Sequence, residues 1–152
     1  MKIAISTDEY QPIISTLLKE VKNRGHELIY FGPKKGEKSQ DWTAVTLKAM
    51  ESLQKGQANE GIVLCWTGTG CTLIANKCPG IRAALCTDEE TAKGTRIWNH
   101  ANVLGLSLRL TTSTLLEEIL DAWFSTPYSD DPWNLSQIKA INQLESYNET
   151  HS

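Results

Sequence analysis

Apolar and polar positions follow a repeating order along the chain, in which short apolar runs alternate with longer amphipathic stretches. The short runs are typical of buried strands and cover residues 2–6, 27–31, 61–64, 81–85 and 103–106. Apolar residues recur at helical spacing in segments 12–24, 42–54, 69–77, 87–98 and 115–124. Strands separated by helices pair in parallel through right-handed crossovers. The pattern therefore predicts an α/β fold: a three-layer α/β/α sandwich around a Rossmann-like, doubly wound parallel sheet of five strands.

Local signals place the ends of several helices. Pro12 suits a first helical turn, and Thr87 with Glu90 has the form of a capping box. Asp131 followed by Pro132 predicts the start of a tail helix that runs to about Leu144. We expect one domain, with the main α/β body at residues 1–128 and a helical tail at 129–152 that packs on a partner subunit.

Composition narrows the possible functions. Lys and Arg number 15 against 18 Asp and Glu, a formal charge of −3, so the chain lacks a strong positive field for nucleic acid. The four cysteines do not show the CxxC spacing of a metal knuckle or a redox pair, and reduced thiols are the default in the cytoplasm. No apolar run approaches the roughly 18 residues that span a bilayer. These features predict a cytoplasmic protein without a metal and without nucleic-acid or membrane partners.

The candidate site lies where the first and third strands end. In doubly wound sheets, ligands bind beyond the carboxyl ends of the strands, where the strand order reverses. This rule selects residues 6–10 and 65–70. In the second segment, Gly68 and Gly70 allow backbone amides to converge on an anion between a strand and a helix. The glycines do not complete a dinucleotide fingerprint, because Leu73 stands at its third glycine, and a Walker loop is absent as well.

Four segments resemble the ribose-5-phosphate isomerase B and galactose-6-phosphate isomerase family. They begin with MKIAISTD at residues 1–8 and the GHE and FG segments that bound the second strand. The most specific is GIVLCWTGTG at 61–70, which continues through ANKCPGIRAAL at 75–85. ANVL at 101–104 completes the resemblance, which covers about residues 1–128 in the same order and spacing.

The resemblance implies an aldose-ketose isomerase that needs no cofactor. Such enzymes open the ring of a sugar phosphate, for example a pentose phosphate such as ribose 5-phosphate, and interconvert aldose and ketose through a cis-enediol. Family members are homodimers with active sites at the subunit interface, so a homodimer or a dimer of dimers is expected. The general base matches Cys65, and a helix N-terminus lowers a thiol pKa. In one branch the base is a glutamate at the position of Cys71, which makes Cys71 a second candidate.

The resemblance also assigns roles to other residues. It matches Asp8 to an aspartate near the substrate hydroxyls, Thr67 to a threonine linked to ring opening, and Asn99 to a sugar-binding asparagine. The amides of Gly68, Thr69 and Gly70 match the enediolate cradle. Arg109 matches a family arginine and is a candidate contact for the anion. Asp8 and Asn99 could instead only cap turns.

Several positions depart from the family pattern. Glu9 stands where histidine is usual, as it does in some galactose-6-phosphate isomerase subunits. Trp98 replaces the usual ring-opening histidine, and His100 could substitute for it although it lies two residues later. Trp66 replaces a glycine in the turn, where it could stack on a sugar or narrow the pocket.

The tail departs furthest from the family. The two arginines that bind phosphate in relatives are absent, and Asp130 and Asp131 lie in that region. Some galactose-6-phosphate isomerase subunits also lack these arginines and work only beside a different subunit. A hetero-oligomer is therefore possible, and the alternative function is a catalytically impaired member that binds a ligand or a partner subunit. Trp42, Trp123 and Trp133 could form a sugar platform, but the apolar stripe around Trp123 favours a core position for it.

Overall fold

Five strands form the central sheet of the computed structural model, which describes residues 1–152. They are β1 (Lys2–Thr7), β2 (Glu27–Phe31), β3 (Glu60–Cys65), β4 (Ala83–Leu85) and β5 (Val103–Ser107). Their order is β2-β1-β3-β5-β4, and all neighbouring pairs are parallel. The strand order reverses between β1 and β3, as predicted. The predicted doubly wound α/β fold is confirmed.

Six helices complete the fold: α1 (Pro12–Asn23), α2 (Trp42–Gln54), α3 (Thr69–Ala75), α4 (Glu89–Asn99), α5 (Ser113–Ser125) and α6 (Pro132–His151). The side chains of each strand alternate between two cores. On β3, Ile62 and Leu64 face the core shared with α1, α4 and α5, while Val63 and Cys65 face the core shared with α2 and α3. Period-two alternation therefore directs Cys65 towards α3. Trp123 is fully buried in the first core, as its apolar stripe predicted.

Some element bounds differ from the sequence prediction for local reasons. Strand β4 begins at Ala83 and not at residue 81, because the N–H of Arg82 donates to the side chain of Asn102 (2.8 Å). The cap of α4 is Asp88 and not Thr87, since the Asp88 carboxylate accepts from the N–H of Thr91 (2.6 Å). Helix α6 continues to His151, seven residues beyond the predicted end.

A buried ion pair fastens α4 to the sheet. Arg96 donates to the carboxylate of Glu60 at 2.7 Å, and their side chains are only 11% and 8% exposed. The same guanidinium donates to the carbonyl of Ala101 (2.8 Å) and lies over the rings of Trp123 and Tyr128. This cluster holds the chain after α5 against the amino edge of the sheet. None of the six helices has both the length and the apolar character required to cross a membrane.

Candidate functional site

A cleft of about 290 Å³ opens at the carboxyl ends of β1 and β3, at the point where the strand order reverses. Its walls combine one thiol, one carboxylate, two indoles and the turn before α3. They are Asp8, Trp42, Cys65, Trp66, Thr67, Thr69 and Gly70. The structure therefore brings together the two segments that the strand-order rule selected.

The turn between β3 and α3 exposes backbone donors to this cleft. We call residues 65–71 the cradle. Gly68 has a φ of 77°, and a Cβ there would come within 2.6 Å of Leu85 and 2.9 Å of the Leu106 backbone. Only glycine fits this position without displacing the neighbouring strand. The turn leaves the N–H groups of Thr69 and Gly70 without a protein acceptor, so both can donate to an anion in the cleft.

The surroundings of the Cys65 thiol favour its ionisation near neutral pH. The polar groups around Cys65 lower its pKa to about 6, first the Cys71 thiol and then the N–H groups of Cys71 and Gly68. The Cys71 thiol itself donates to the carbonyl of Gly68 (3.3 Å). Burial and the negative charge of Asp8 oppose this shift without cancelling it. The contact with Cys65, together with burial, raises the pKa of Cys71, so Cys71 stays protonated. Of the two thiols, Cys65 has the chemistry of a base at neutral pH.

The carboxylate of Asp8 lies across the cleft from the cradle. Burial raises its pKa, and bonds to the backbone N–H groups of Asp8 and Glu9 only partly offset this effect. The Oδ1 atom is buried without a protein partner, which leaves it available to a hydroxyl of a ligand. Glu9 instead accepts a hydrogen bond from Gln11 (3.3 Å).

Trp66 lines the cleft, and the backbone of Arg109 lies beside it. The carbonyl of Trp66 accepts from the N–H of Arg109 (3.0 Å) and from the hydroxyl of Ser107 (2.9 Å). The indole is 52% exposed, and the Arg109 side chain is exposed and makes no ion pair. On the cradle itself, the hydroxyls of Thr67 and Thr69 are 2.7 Å apart. The backbone of Arg109 is therefore held beside the cradle, and its guanidinium has no ion-pair partner within the chain.

Trp42 covers the cradle from the first turn of α2. A Cβ on Gly70 would lie 3.2 to 3.4 Å from its ring, so the indole lies directly over that glycine. The loop before α2 is attached to the site by a hydrogen bond from the N–H of Gln40 to the carbonyl of Asp8 (2.7 Å). The sequence raised Trp42 only as part of a general sugar platform, and nothing local indicated that the 33–41 loop ends here.

Three predicted site residues, Trp98, Asn99 and His100, do not line the cleft. Helix α4 returns the chain from the carboxyl end of β4 to the amino end of β5, so Trp98 and Asn99 lie at the opposite edge of the sheet from Cys65. An 11-residue helix spans about 16 Å. Both side chains are exposed, and that of Asn99 makes no hydrogen bond within the chain. One chain alone does not bring them to the cradle.

His100, the third of these residues, is engaged by the tail. Its Nε2 atom lies 2.7 Å from the carbonyl of Ser129, and its ring stacks on Tyr128 with a centroid distance of 4.4 Å. The backbone has the left-handed conformation, with a φ of 49°. Asn134, fully buried at the start of α6, donates to the carbonyl of Ile97 (2.9 Å). These contacts favour a structural role for His100 over the catalytic role expected for it.

The acidic residues of the tail, Asp130 and Asp131, lie directly before the first residue of α6. Asp131 caps this helix by accepting from the N–H of Asn134 (2.9 Å), and it also accepts from the hydroxyl of Ser129 (2.6 Å). We call Arg96, His100, Tyr128, Ser129 and Asn134 the tail junction.

Among the residues of the chain, no group of three or more His, Cys, Asp or Glu is arranged to hold a metal ion.

Comparisons with known proteins agree with this fold. The family model described as Ribose/Galactose Isomerase matches residues 3–141. The chain is 34% identical to galactose-6-phosphate isomerase subunit LacB of Clostridium acetobutylicum, over 95% of this chain and 83% of that protein. It is 30% identical to ribose-5-phosphate isomerase B of Escherichia coli, over 95% and 96%. The solved structure of the type B ribose 5-phosphate isomerase of Trypanosoma brucei superposes with a TM-score of 0.88 at 36% identity, over 94% of this chain and 97% of that one. With a family model that covers most of its length and relatives that align almost from end to end, the chain belongs to the ribose/galactose isomerase family.

Proposed function

We propose that this protein is an aldose-ketose isomerase of the ribose-5-phosphate isomerase B type, acting on a sugar phosphate through a cis-enediol. The observation that carries the proposal is the cradle, where an ionisable Cys65 thiol lies beside the unpaired N–H groups of Thr69 and Gly70. Isomerisation needs a base that moves one proton between adjacent carbons and donors for the oxyanion that forms. Both are present in one cleft.

In the proposed reaction, Cys65 is the general base. Its thiolate removes the proton from the carbon next to the carbonyl group of the open-chain sugar, and the electron pair forms the carbon-carbon double bond of the enediolate. The N–H groups of Thr69 and Gly70 stabilise the oxygen that gains negative charge, an effect of about 3 kcal/mol for one such donor in other enzymes. A proton then passes from the hydroxyl oxygen on the deprotonated carbon to the former carbonyl oxygen, and the Cys65 thiol returns its proton to the former carbonyl carbon. The substrate thus gains and loses no electrons or protons overall.

Asp8 and Thr67 act on the substrate hydroxyls in this proposal. The raised pKa and the unpartnered oxygen of Asp8 suit a carboxyl group that exchanges a proton with a sugar hydroxyl. The Thr67 hydroxyl is exposed on the cradle and assists ring opening. Glu9 lies beside Asp8 and contacts the far hydroxyls, and Trp42 and Trp66 enclose the sugar.

Arg109 is the proposed contact for the phosphate. Its exposed side chain makes no ion pair within the chain, and its backbone N–H donates to the carbonyl of Trp66. The Arg96 and Arg24 side chains, by contrast, are paired with carboxylates. A charge-assisted hydrogen bond to an anion contributes about 1.5 to 3 kcal/mol. Trp66, beside Arg109, sets the width of this end of the cleft.

A second subunit completes the proposed site. Trp98 has an exposed indole and Asn99 an exposed amide without a hydrogen bond in the chain, and both lie at the amino edge of the sheet. In a homodimer or a dimer of dimers, they would contribute to the site of the partner subunit. The tail supports this arrangement. Trp133, Leu144 and Tyr147 of α6 are each about 60 to 70% exposed, and a cavity of about 580 Å³ separates α6 from the amino edge of its own sheet. We propose that residues 129–152 pack on the partner.

All four cysteines are free thiols, which suits the cytoplasm.

The test is a substrate panel with a variant of the base. Wild type and Cys65→Ala are assayed with pentose and hexose phosphates and with the corresponding free sugars. We expect Cys65→Ala to lose turnover by about 10²- to 10⁴-fold, while Cys78→Ala, outside the cleft, retains it. Turnover by wild type should fall as the pH drops through about 6, where the thiolate takes up a proton. Equal rates for Cys65→Ala and wild type would remove Cys65 from the mechanism.

The second candidate function is a catalytically impaired subunit that binds a ligand or a related isomerase chain. It is favoured by the tail, where Asp131 caps a helix and no arginine is present, and by the engagement of His100 within the tail junction. A hetero-oligomer would then supply the missing cations. Robust turnover by the purified homo-oligomer excludes this candidate. Absence of turnover with every substrate, together with binding of a sugar phosphate, would favour it.

A further inference from the structure

The chain that follows β5 is hydrogen-bonded to the first two residues of the cradle. The N–H group of Leu108 donates to the carbonyl of Cys65, and that of Arg109 donates to the carbonyl of Trp66, each at 3.0 Å. The hydroxyl of Ser107 donates to the same Trp66 carbonyl at 2.9 Å. Contact between these two parts of the chain therefore continues beyond the last register pair of β3 and β5, up to the cleft.

The hydroxyl of Ser107 is the only side-chain group among these three donors, and both of its hydrogen-bonding roles are used. Its Oγ atom accepts from the N–H of Leu110 (3.1 Å), while its single proton goes to the carbonyl of Trp66. Ser107 is only 2% exposed, so water does not compete for these two bonds. One hydroxyl thus ties the Trp66 peptide group to the turn that carries Arg109.

Ser107 does not contact a ligand in the cleft itself. It is not among the residues that line the cleft, whereas Trp66 is. Ser107 is also the register partner of Cys65, but its proton is directed at the Trp66 carbonyl and is not available to the thiol. Any effect of Ser107 on binding must therefore pass through the residues that its hydroxyl holds in place.

We propose that Ser107 is a positioning residue for the binding of the sugar phosphate, because its hydroxyl holds the backbone of Arg109 against that of Trp66. This contact fixes the point from which the Arg109 side chain extends towards the phosphate. The inference rests on the proposed role of Arg109 as the phosphate contact. The hydroxyl contributes to affinity by pre-organising the arginine in the unliganded protein.

Loss of the hydroxyl leaves a folded protein. The carbonyl of Trp66 keeps the N–H of Arg109 as a donor, so it stays paired. The N–H of Leu110 loses its acceptor, but Leu110 is 52% exposed and water can replace the hydroxyl there. The turn then gains freedom of movement without a buried unpaired group.

Four variants separate positioning from stability. Ser107→Ala removes the hydroxyl, and Ser107→Thr keeps it with a β-branched side chain that suits the end of a strand. Arg109→Gln removes the cation and keeps the backbone N–H. Ser52→Ala is the matched control, because Ser52 is also 2% exposed and its hydroxyl donates to the carbonyl of Ala49 (2.6 Å) within α2, outside the cleft.

The experiment measures the dissociation constants of ribose 5-phosphate and of ribose by isothermal titration calorimetry, together with kcat, KM and unfolding in denaturant. We expect Ser107→Ala to weaken the binding of ribose 5-phosphate about fivefold, as for the loss of one neutral hydrogen bond. Ribose binding and kcat should stay within about twofold, and Ser107→Thr should bind like wild type. Ser52→Ala should lose as much stability as Ser107→Ala without a loss of affinity.

A double-mutant cycle with Arg109→Gln shows whether Ser107 acts through the arginine. In the Arg109→Gln background, Ser107→Ala should weaken binding by less than about twofold, because the cation that it positions is already absent. Three results would overturn the inference: equal fivefold losses in both backgrounds, no loss from Ser107→Ala in the wild-type background, or a loss in Ser107→Thr equal to that of Ser107→Ala at wild-type stability.

The same measurements separate failure of the inference from failure of the proposed function. If Arg109→Gln leaves the binding of ribose 5-phosphate unchanged, the phosphate contact is wrong and the inference fails with it. If Arg109→Gln weakens binding and Ser107→Ala does not, only the inference fails. Absence of turnover in a wild-type protein that binds ribose 5-phosphate would reject the isomerase reaction alone, and the binding cycle would still decide the role of Ser107.

Discussion

The cradle and the tail junction contain similar polar groups but use them differently. In the cradle, two backbone N–H groups have no protein partner, and Cys65 lines an open cleft. One oxygen of Asp8, in the same cleft, also has no protein partner. In the tail junction, the guanidinium of Arg96 and the ring of His100 are held by groups of the same chain. The first region leaves its hydrogen-bonding capacity for a ligand, and the second uses its capacity to hold the fold.

The difference shows which departures from the family pattern bear on chemistry. Trp98 and Asn99 lie between two residues of the tail junction, Arg96 and His100. Their side chains are exposed, whereas the His100 ring contacts the tail. Closeness in sequence to a family site position therefore does not by itself make a polar side chain available for catalysis. The comparison predicts that substitutions in the tail junction reduce stability, and that substitutions in the cradle reduce turnover.

The largest loss of stability is expected from Arg96→Met. It leaves the Glu60 carboxylate buried without its partner, and removing one member of a buried ion pair costs about 3 to 5 kcal/mol. The free energy of unfolding is measured by denaturant titration. Lys55→Met is the matched control, because the ion pair of Lys55 with Glu51 is about 60% exposed and should contribute less than about 1 kcal/mol. Equal losses in the two variants would contradict the assigned role of Arg96.

Gly68→Ala should have the next largest effect, and it should act on both properties. The left-handed backbone costs an L residue about 1 to 2 kcal/mol, and the overlap with Leu106 and Leu85 adds strain, for a total of about 2 to 4 kcal/mol. Gly80→Ala is the control, since Gly80 has nearly the same φ (78°) with no atom near the added Cβ. Turnover should fall only in Gly68→Ala. A similar loss of stability in both variants would show that the cradle tolerates the added methyl.

The elements that the sequence predicts well are those set by local periodicity. The continuous apolar run at 61–64 predicts a buried strand, and the strand-order rule predicts that its end lies near the end of the first strand, where Asp8 is. Glycines at a strand-to-helix turn then indicate exposed amides, as Gly68 and Gly70 do. Each of these inferences uses residues that are adjacent in the chain or in neighbouring strands.

The features that the sequence does not predict depend on distant contacts. The engagement of His100 joins residues 29 apart, and the ion pair of Arg96 with Glu60 joins residues 36 apart. Trp42 reaches the cradle only because the loop before it attaches to Asp8. Hydrophobic periodicity and short motifs do not predict contacts between residues that are far apart in sequence. The extra length of α6 was missed for another reason, because its mostly exposed surface lacks a clear apolar stripe.

The smallest effect is expected from His100→Asn, which tests the boundary between the two regions. Asparagine tolerates the left-handed backbone, so the substitution removes the stack on Tyr128 and the contacts with Ser129 and Asn134, about 1 kcal/mol of stability. Turnover should stay within about twofold of wild type, whereas loss of a catalytic acid or base lowers it by about 10²-fold or more. Tyr128→Phe is the control, because it keeps the stack and loses the hydroxyl contact with Ala101. A large fall in turnover for His100→Asn alone, with stability unchanged, would show that His100 leaves the tail junction to serve a partner's cradle.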